Sequence, residues 1–348
     1  MKDFLADLID IPGVSGYEEK IAQRVAGEFA KYCPEVTIDP FYNVYGLMKG
    51  SGDCGRPRIM LAAHMDEIAL MVKEIDDNGF LRFTNIGGVD PRVLLSQEVF
   101  VHGREKLFGV IAAKPPHIQD AEDMKKAVPM KDMCVDLGLP SEKVRELVWV
   151  GDLITFHSPL VSMQGQYVNG KSLDDRAGVV MLTEVMKELK HFNFAADVCF
   201  TATVQEEVGT RGAIISAYRM EPDVGIAIDV THGDTPDAAK EVTSSMEKGF
   251  EVSVGPNMHP GLTKRFMDLA REYGIEFQVG AAPGPTGTDA RSIQISRYGV
   301  PTLLIEMPLR YMHTTVETLN LDSVKKGARA IALFIASFKE GWQEWLNY

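Results

Sequence analysis

The chain lacks a basic surplus, a long apolar run and clustered cysteines, and each absence removes a class of function. With 36 Lys and Arg against 49 Asp and Glu, the formal net charge is −13. No basic stripe is left to neutralise phosphates, which argues against nucleic acid and anionic membrane surfaces as partners. No stretch approaches the roughly 20 apolar residues that span a bilayer. Residues 1–12 alternate apolar and acidic positions as an amphipathic helix does, without the basic start and apolar centre of a signal peptide. The four cysteines, Cys33, Cys54, Cys134 and Cys199, show no CxxC spacing, so reduced thiols in a cytoplasmic protein are expected. Internal repeats and low-complexity segments are also missing. The Gly/Pro-rich segment GAAPGPTGTD at 280–289 has neither the lysine nor the spacing of a phosphate loop.

What is present is an ordinary globular composition, 45% hydrophobic and 24% charged over 348 residues, long enough for two cores. Phe4, Leu5, Leu8 and Ile9 form one face of a first helix ended by Pro12 and Gly13. Ser15 and Glu18 have capping-box spacing before a second helix carrying Ile21, Val25, Phe29 and Tyr32. The apolar run 58–63 predicts a strand that delivers His64 and Asp66. Two residues apart on extended chain, Asp66 can accept a hydrogen bond from the far nitrogen of His64 and fix its tautomer; a buried structural histidine is the alternative. From Ile68 the texture changes to a hairpin, 68–75 and 80–86 around Asp76-Asp77-Asn78-Gly79, followed by short strands at 98–102, 107–113 and 153–156. Pro115, Pro116, Pro129 and Pro140, with Lys125, Lys126 and Lys131, read as an exposed, partly helical excursion. His102, His117 and His157 read as structural or surface residues without partners.

Asp174 and Asp175 precede an amphipathic helix at 179–192, where either can cap a helix start or serve as a ligand. The β-branched run beginning at Val198 predicts a buried strand that stops at Glu206 and Glu207, which are either a solvated turn or paired chemical groups. A helix at 210–219 and a strand at 224–228 ending at Asp229 follow. A helix at 264–273, a strand at 300–305 running toward His313, and a closing helix at 321–345 complete the chain. Strands alternating with helices outside the β insert imply an α/β sheet with helices on both faces, and ligands bind beyond the carboxyl ends of such strands. His64, Asp174, Glu206, Glu207, Asp229 and His313 can converge there. Imidazole and carboxylate without thiolate suits zinc, cobalt or manganese in a hydrolytic site. Five ligands exceed one open zinc site but match two cations sharing a carboxylate.

Seven motifs then stand in order: GVSGYE at 13–18, AHMDEI at 63–68, NGKSLDDRAG at 169–178, QEEVGTRGA at 205–213, DVTHGD at 229–234, GPTGTDA at 284–290 and RYMHT at 310–314. Together they resemble the M42 family of metallo-aminopeptidases, also called glutamyl, deblocking or tetrahedral aminopeptidases. The resemblance implies a mixed-sheet α/β catalytic domain, residues 1–67 and 158–348, with an inserted small β-barrel-like dimerisation domain at 68–157. It also implies two divalent metal ions, zinc or cobalt, one held by His64 and Asp229 and the other by Glu207 and His313, with Asp174 bridging. Glu206 would be the general base and Asp66 the partner of His64. Peptide substrates and a homo-oligomer of dimers closing into a dodecamer follow from the same resemblance. Two rivals are an endoglucanase, since some family members carry that label and glycosidases also use paired carboxylates, and a non-catalytic assembly protein on the same scaffold. Three tryptophans give no aromatic platform for sugars, and a glycosidase has no need for His64 and His313.

Overall fold

The computed structural model describes residues 1–51, 56–120 and 125–347. Four parallel strands form its centre: Arg58–His64, Asp197–Thr203, Val224–His232 and Thr302–Arg310. Their apolar runs are buried along nearly their whole length, as expected of strands covered on both faces. Alternation decides which core each side chain joins. Ile59, Leu61 and Ala63 enter the larger core, whereas Met60 and Ala62 enter a smaller one with Ala213, Ala217 and Ile293. Helices Leu173–Leu189 and Leu321–Ala336 cover the first face; Arg211–Met220 and Asp289–Gln294 cover the second.

Asp197–Thr203, Arg58–His64, Val224–His232 and Thr302–Arg310 pair side by side in that order, all parallel. The register places Thr203 opposite His64 and Asp229 opposite Glu306, so the polar ends of different strands reach one edge of the sheet. Antiparallel strands Val44–Met48 and Glu35–Ile38 extend one side, and Glu317–Asn320, Tyr167–Gly170 and Val161–Ser162 the other. Phe250–Val254 and Phe277–Ala281 branch from Thr302–Arg310, completing an eleven-stranded mixed sheet among the described residues.

A second body is inserted between Ala69 and Phe156. Strands Ala69–Ile75, Leu81–Ile86, Met133–Asp136, Lys106–Ala113, Glu98–His102 and Leu153–Phe156 close into an antiparallel barrel in that order. It has its own core, which includes Leu70, Val99, Ile111, Val135 and Ile154. Asp76 Oδ1 accepts the amides of Asn78 and Phe80 to shape the first hairpin turn. The α/β mixed sheet with an inserted barrel is the architecture that the sequence resemblance implies. No helix among the described residues is long and apolar enough to cross a membrane.

The structure departs from the sequence reading at several points. Ser15 and Glu18 form no capping box: the second helix is Glu19–Phe29, Ser15 Oγ donates to Asp66, and Glu18 accepts the amides of Gly16 and Gln205. The proline-punctuated excursion contributes the barrel strand Met133–Asp136 and the helix Ser141–Leu147, while residues 121–124 within it lie outside the described residues. His102 and His157 have partners, Thr155 Oγ1 at 2.8 Å and Glu98 Oε2 at 3.0 Å. The closing helix stops at Ala336, and Trp342–Leu346 form a separate 3₁₀ turn. Cys33, Cys134 and Cys199 are unbridged; Cys54 lies outside the described residues.

One buried ion cluster ties the amino-terminal segment to the sheet. The Arg176 guanidinium is fully buried. It donates to the carbonyl oxygens of Leu8, Ile11 and Met65 and pairs with Glu67 at 3.1 Å. Glu67 also accepts from Lys171, Ser172 Oγ and the amide of Gly13. Burial pushes the Glu67 carboxyl up, but Arg176 and Lys171 outweigh it and hold the group at about 2. Removing one partner of such a cluster leaves the others buried and unpaired. Arg176→Leu is expected to lower stability by about 3–5 kcal/mol, read as a reduced urea midpoint by circular dichroism; a shift under about 1 kcal/mol refutes the cluster's structural weight.

Candidate metal centre

Beyond the carboxyl ends of the parallel strands lies a crevice of about 470 Å³, lined in part by His64, Asp174, Glu206, Glu207, Asp229 and His313. Each arrives from a different local geometry. His64 ends its strand and is buried. Asp229 lies within Val224–His232, which continues past the expected end at Ile228. Glu206 and Glu207 occupy the turn after Asp197–Thr203. His313 lies in the loop between Thr302–Arg310 and Glu317–Asn320. Non-glycine residues with left-handed backbone flank these positions, namely Ser172 (φ 55), Gln205 (φ 55), Thr210 (φ 51), Tyr311 (φ 60) and His313 itself (φ 60). Such conformations persist where surrounding contacts over-determine them, and they cluster at functional sites.

The two adjacent aspartates divide their tasks. Asp175 Oδ1 accepts the amide of Gly178 at 3.1 Å, the bond of a helix start, whereas Asp174 faces the crevice. Asp174 Oδ1 lies 3.0 Å from His64 Nε2, and its Oδ2 lies 3.3 Å from His313 Nε2. Glu207 Oε1 is also 3.3 Å from His313 Nε2. One donor atom from each of His64, Asp174 and Glu207 falls within 4.8 Å of the others.

Asp66 is fully buried beneath the crevice. Its expected hydrogen bond to His64 is not made: the nearest approach to Nδ1 is 3.5 Å, and that nitrogen has no hydrogen-bond partner. Asp66 instead accepts the amides of Glu206 at 3.0 Å and Glu207 at 3.3 Å, and the Ser15 hydroxyl at 2.6 Å. It thereby holds the turn that aims both glutamates.

Electrostatics follow from crowding. Burial, then Asp289, Glu207 and Asp66 push the Glu206 carboxyl up to about 8, against the pull of His64. Burial opposes charge on His313, yet Asp174 and Glu207 hold its imidazole up at about 11. Burial and the neighbouring Asp175, Asp174 and Glu206 raise Asp229 well above the carboxylate range. Several buried oxygen donors and two imidazoles facing one space fit divalent cations.

Two contributors carry no sequence signal of the kind used above. Glu317, nearly fully buried, accepts the amides of Leu173 at 2.7 Å, Asp174 at 3.2 Å and His313 at 2.8 Å, linking two of the crevice groups through their backbones. The Gly88 carbonyl, from the barrel, lies 2.9 Å from His313 Nδ1. The acidic type of Glu317, four residues after His313, is the one hint that marks it. Glu317→Ala is expected to weaken divalent-cation binding by about 10- to 100-fold, measured by titrating metal-free protein with Zn²⁺; unchanged affinity removes Glu317 from that role.

Known proteins resemble this chain along nearly its whole length. The family model of M42 glutamyl aminopeptidase matches residues 43–329. The lysyl aminopeptidase of Pyrococcus furiosus is 36% identical over 337 residues, covering 94% of this chain and 96% of that protein. Among solved structures, the TET aminopeptidase of a Thaumarchaeota archaeon from marine sediment superposes with a TM-score of 0.92 at 33% identity, covering 99% of this chain and 97% of that one. The Pyrococcus horikoshii TET1 peptidase, which can assemble into a tetrahedron or a large octahedral shell, superposes with a TM-score of 0.84 at 34% identity, covering 97% and 99%. A family match across most of the chain, on a sheet that gathers its acids and imidazoles at one edge, makes this protein an aminopeptidase belonging to the M42 glutamyl aminopeptidase family.

Proposed function

We propose that the crevice binds two divalent cations, zinc or cobalt, and removes the amino-terminal residue of peptides with Glu206 as general base. The observation that carries this reading is the placement of Asp174, one carboxylate oxygen toward His64 and the other toward His313. A carboxylate so placed suits a bridge, with His64 and Asp229 on one side and Glu207 and His313 on the other. Bound there, the cations would supply Lewis acidity, acidifying water and polarising the scissile carbonyl.

The chain's own residues then have separate work. Asp66 fixes the Glu206–Glu207 turn through both backbone amides, so the two carboxyls diverge in role while adjacent in sequence. Glu207, within reach of His313 Nε2, is committed as a ligand, and a carboxylate so committed is a poor base. Glu206 remains free to take a proton from the attacking water and pass it to the leaving amine. Glu206→Gln is expected to retain both cations and lose about 10² to 10⁴ in turnover, whereas Glu207→Gln loses cation content; metal analysis beside steady-state kinetics on aminoacyl reporters checks both. Turnover of Glu206→Gln within tenfold of wild type, or full occupancy in Glu207→Gln, reverses the assignment.

We further take residues 68–157 as a self-association domain and residues 1–67 and 158–348 as the catalytic domain. The barrel leaves Phe108, Trp149 and Val150 about half exposed or more, apolar groups available to a second copy, and the Pyrococcus horikoshii relative can assemble into a tetrahedron or a large octahedral shell. A homo-oligomer of dimers, up to a dodecamer, is expected by light scattering. A mass near one chain overturns it.

A further inference from the structure

We infer that the barrel completes one half of the metal centre: its Gly87–Gly88 turn orients His313 and walls Glu207, so that half is assembled across the junction between barrel and sheet. The inference rests on the two-cation reading above and asks which part of the fold builds each half.

The His313 loop is held from two sides. From the sheet, Glu317 Oε1 accepts the His313 amide at 2.8 Å. From the barrel, the Gly88 carbonyl oxygen sits 2.9 Å from His313 Nδ1. A carbonyl only accepts, so Nδ1 carries a hydrogen, and Nε2 is the nitrogen whose lone pair a cation would take in place of a proton. Nε2 is the atom that faces Asp174 Oδ2 and Glu207 Oε1. A carbonyl partner on the far nitrogen is what fixes ring orientation and tautomer in a metal-binding histidine. With His313 itself at φ 60, the side chain depends on such contacts for its direction.

The approach is close enough to require glycine. A Cβ on Gly88 would lie 2.8 Å from His313 Nδ1 and 3.1 Å from Cε1, displacing the imidazole. Gly87 has φ +77, and a Cβ there would meet Ile68 Cγ2 at 2.8 Å and Glu207 Cβ at 3.4 Å. Asn85 Nδ2 donates to the Gly87 carbonyl at 2.7 Å and pins the turn. A second tie lies further along the barrel. Thr315 Oγ1 donates to Gln97 Oε1 at 3.0 Å, and Gln97 Nε2 is anchored on the Val93 carbonyl at 2.9 Å. The loop that carries His313 is therefore docked on the barrel at Gly88 and at Gln97.

His64 shows the contrast. Its ring nitrogens face Asp174 and Asp66, both from the sheet side of the junction, so the barrel bears on one half of the centre and not on the other.

The test titrates metal-free, full-length protein with Zn²⁺ by calorimetry. Wild type is expected to show two binding events per chain. Gly88→Ala should keep one and weaken the other by at least tenfold, within the range for loss of a partner that orients a ligand. Gln97→Ala, which cuts only the second tie, should weaken the same event by a smaller factor, and it carries the test if Gly88→Ala does not fold. Gly109→Ala is the control: its Cβ crowds Val135 and Leu137 inside the barrel, away from the crevice, and both events should stay as in wild type. Wild-type titrations from both Gly88→Ala and Gln97→Ala overturn the inference. Equal weakening by Gly109→Ala also overturns it, because the barrel would then act through its general stability. Fewer than two events in wild type overturns the two-cation reading itself, a result distinct from either.

Discussion

Five carboxylates, those of Asp174, Glu206, Glu207, Asp229 and Glu306, line one crevice, and their mutual repulsion is the constraint around which the rest is organised. Two like charges about 4 Å apart repel by about 4 kcal/mol at an effective dielectric of 20. A fold that gathers several must supply positive charge or protons and must hold each group rigidly enough that it does not swing away. The two imidazoles supply part of the first requirement. The second is met from beneath, where Asp66 and Glu317 accept backbone amides of the residues that carry the crevice groups. Position is therefore fixed by backbone amides bound to two buried carboxylates, while the imidazoles offset part of the charge.

Behind that frame the Glu67, Lys171 and Arg176 cluster solves a related problem with opposite charges. Arg176 follows Asp174 and Asp175 directly, and its guanidinium collects carbonyl oxygens from the first helix and from the strand end after His64. The segment presenting Asp174 is thus anchored to the segment presenting His64 through a buried cation. A hydrophobic residue of the same length would fill the space without fixing the relative position of the two.

How much of this could be read in the sequence depended on whether a residue's task left a local pattern. His64, Glu206 and Glu207 were legible because an apolar run stops at a polar residue, and the paired strands place them at one edge. The hairpin turn was legible from Asp76 to Gly79 because its φ and hydrogen-bond demands fall on neighbouring residues. Ser15 and Glu18 had the spacing of a local cap, yet partners distant in sequence, Asp66 and Gln205, captured both side chains. Glu317 reaches the amides of Leu173 and Asp174, and the Gly88 carbonyl reaches His313, all far away in sequence, so periodicity exposed neither. The closing helix is shorter than its apolar periodicity implies because Phe338, Trp342 and Trp345 continue the pattern after the backbone has left the helix; the Phe338 ring packs against both tryptophans beyond Ala336.

The register that sets Thr203 opposite His64 and Asp229 opposite Glu306 makes the parallel strands a ruler with a two-residue unit. Adding or deleting a single residue within one of them would turn each later side chain to the opposite face, moving a histidine or an acid out of the crevice and an aliphatic residue into it. A change of length is therefore better borne by the connections at the other end of the sheet and by the outer turns of the barrel, where no crevice side chain depends on the strand alternation.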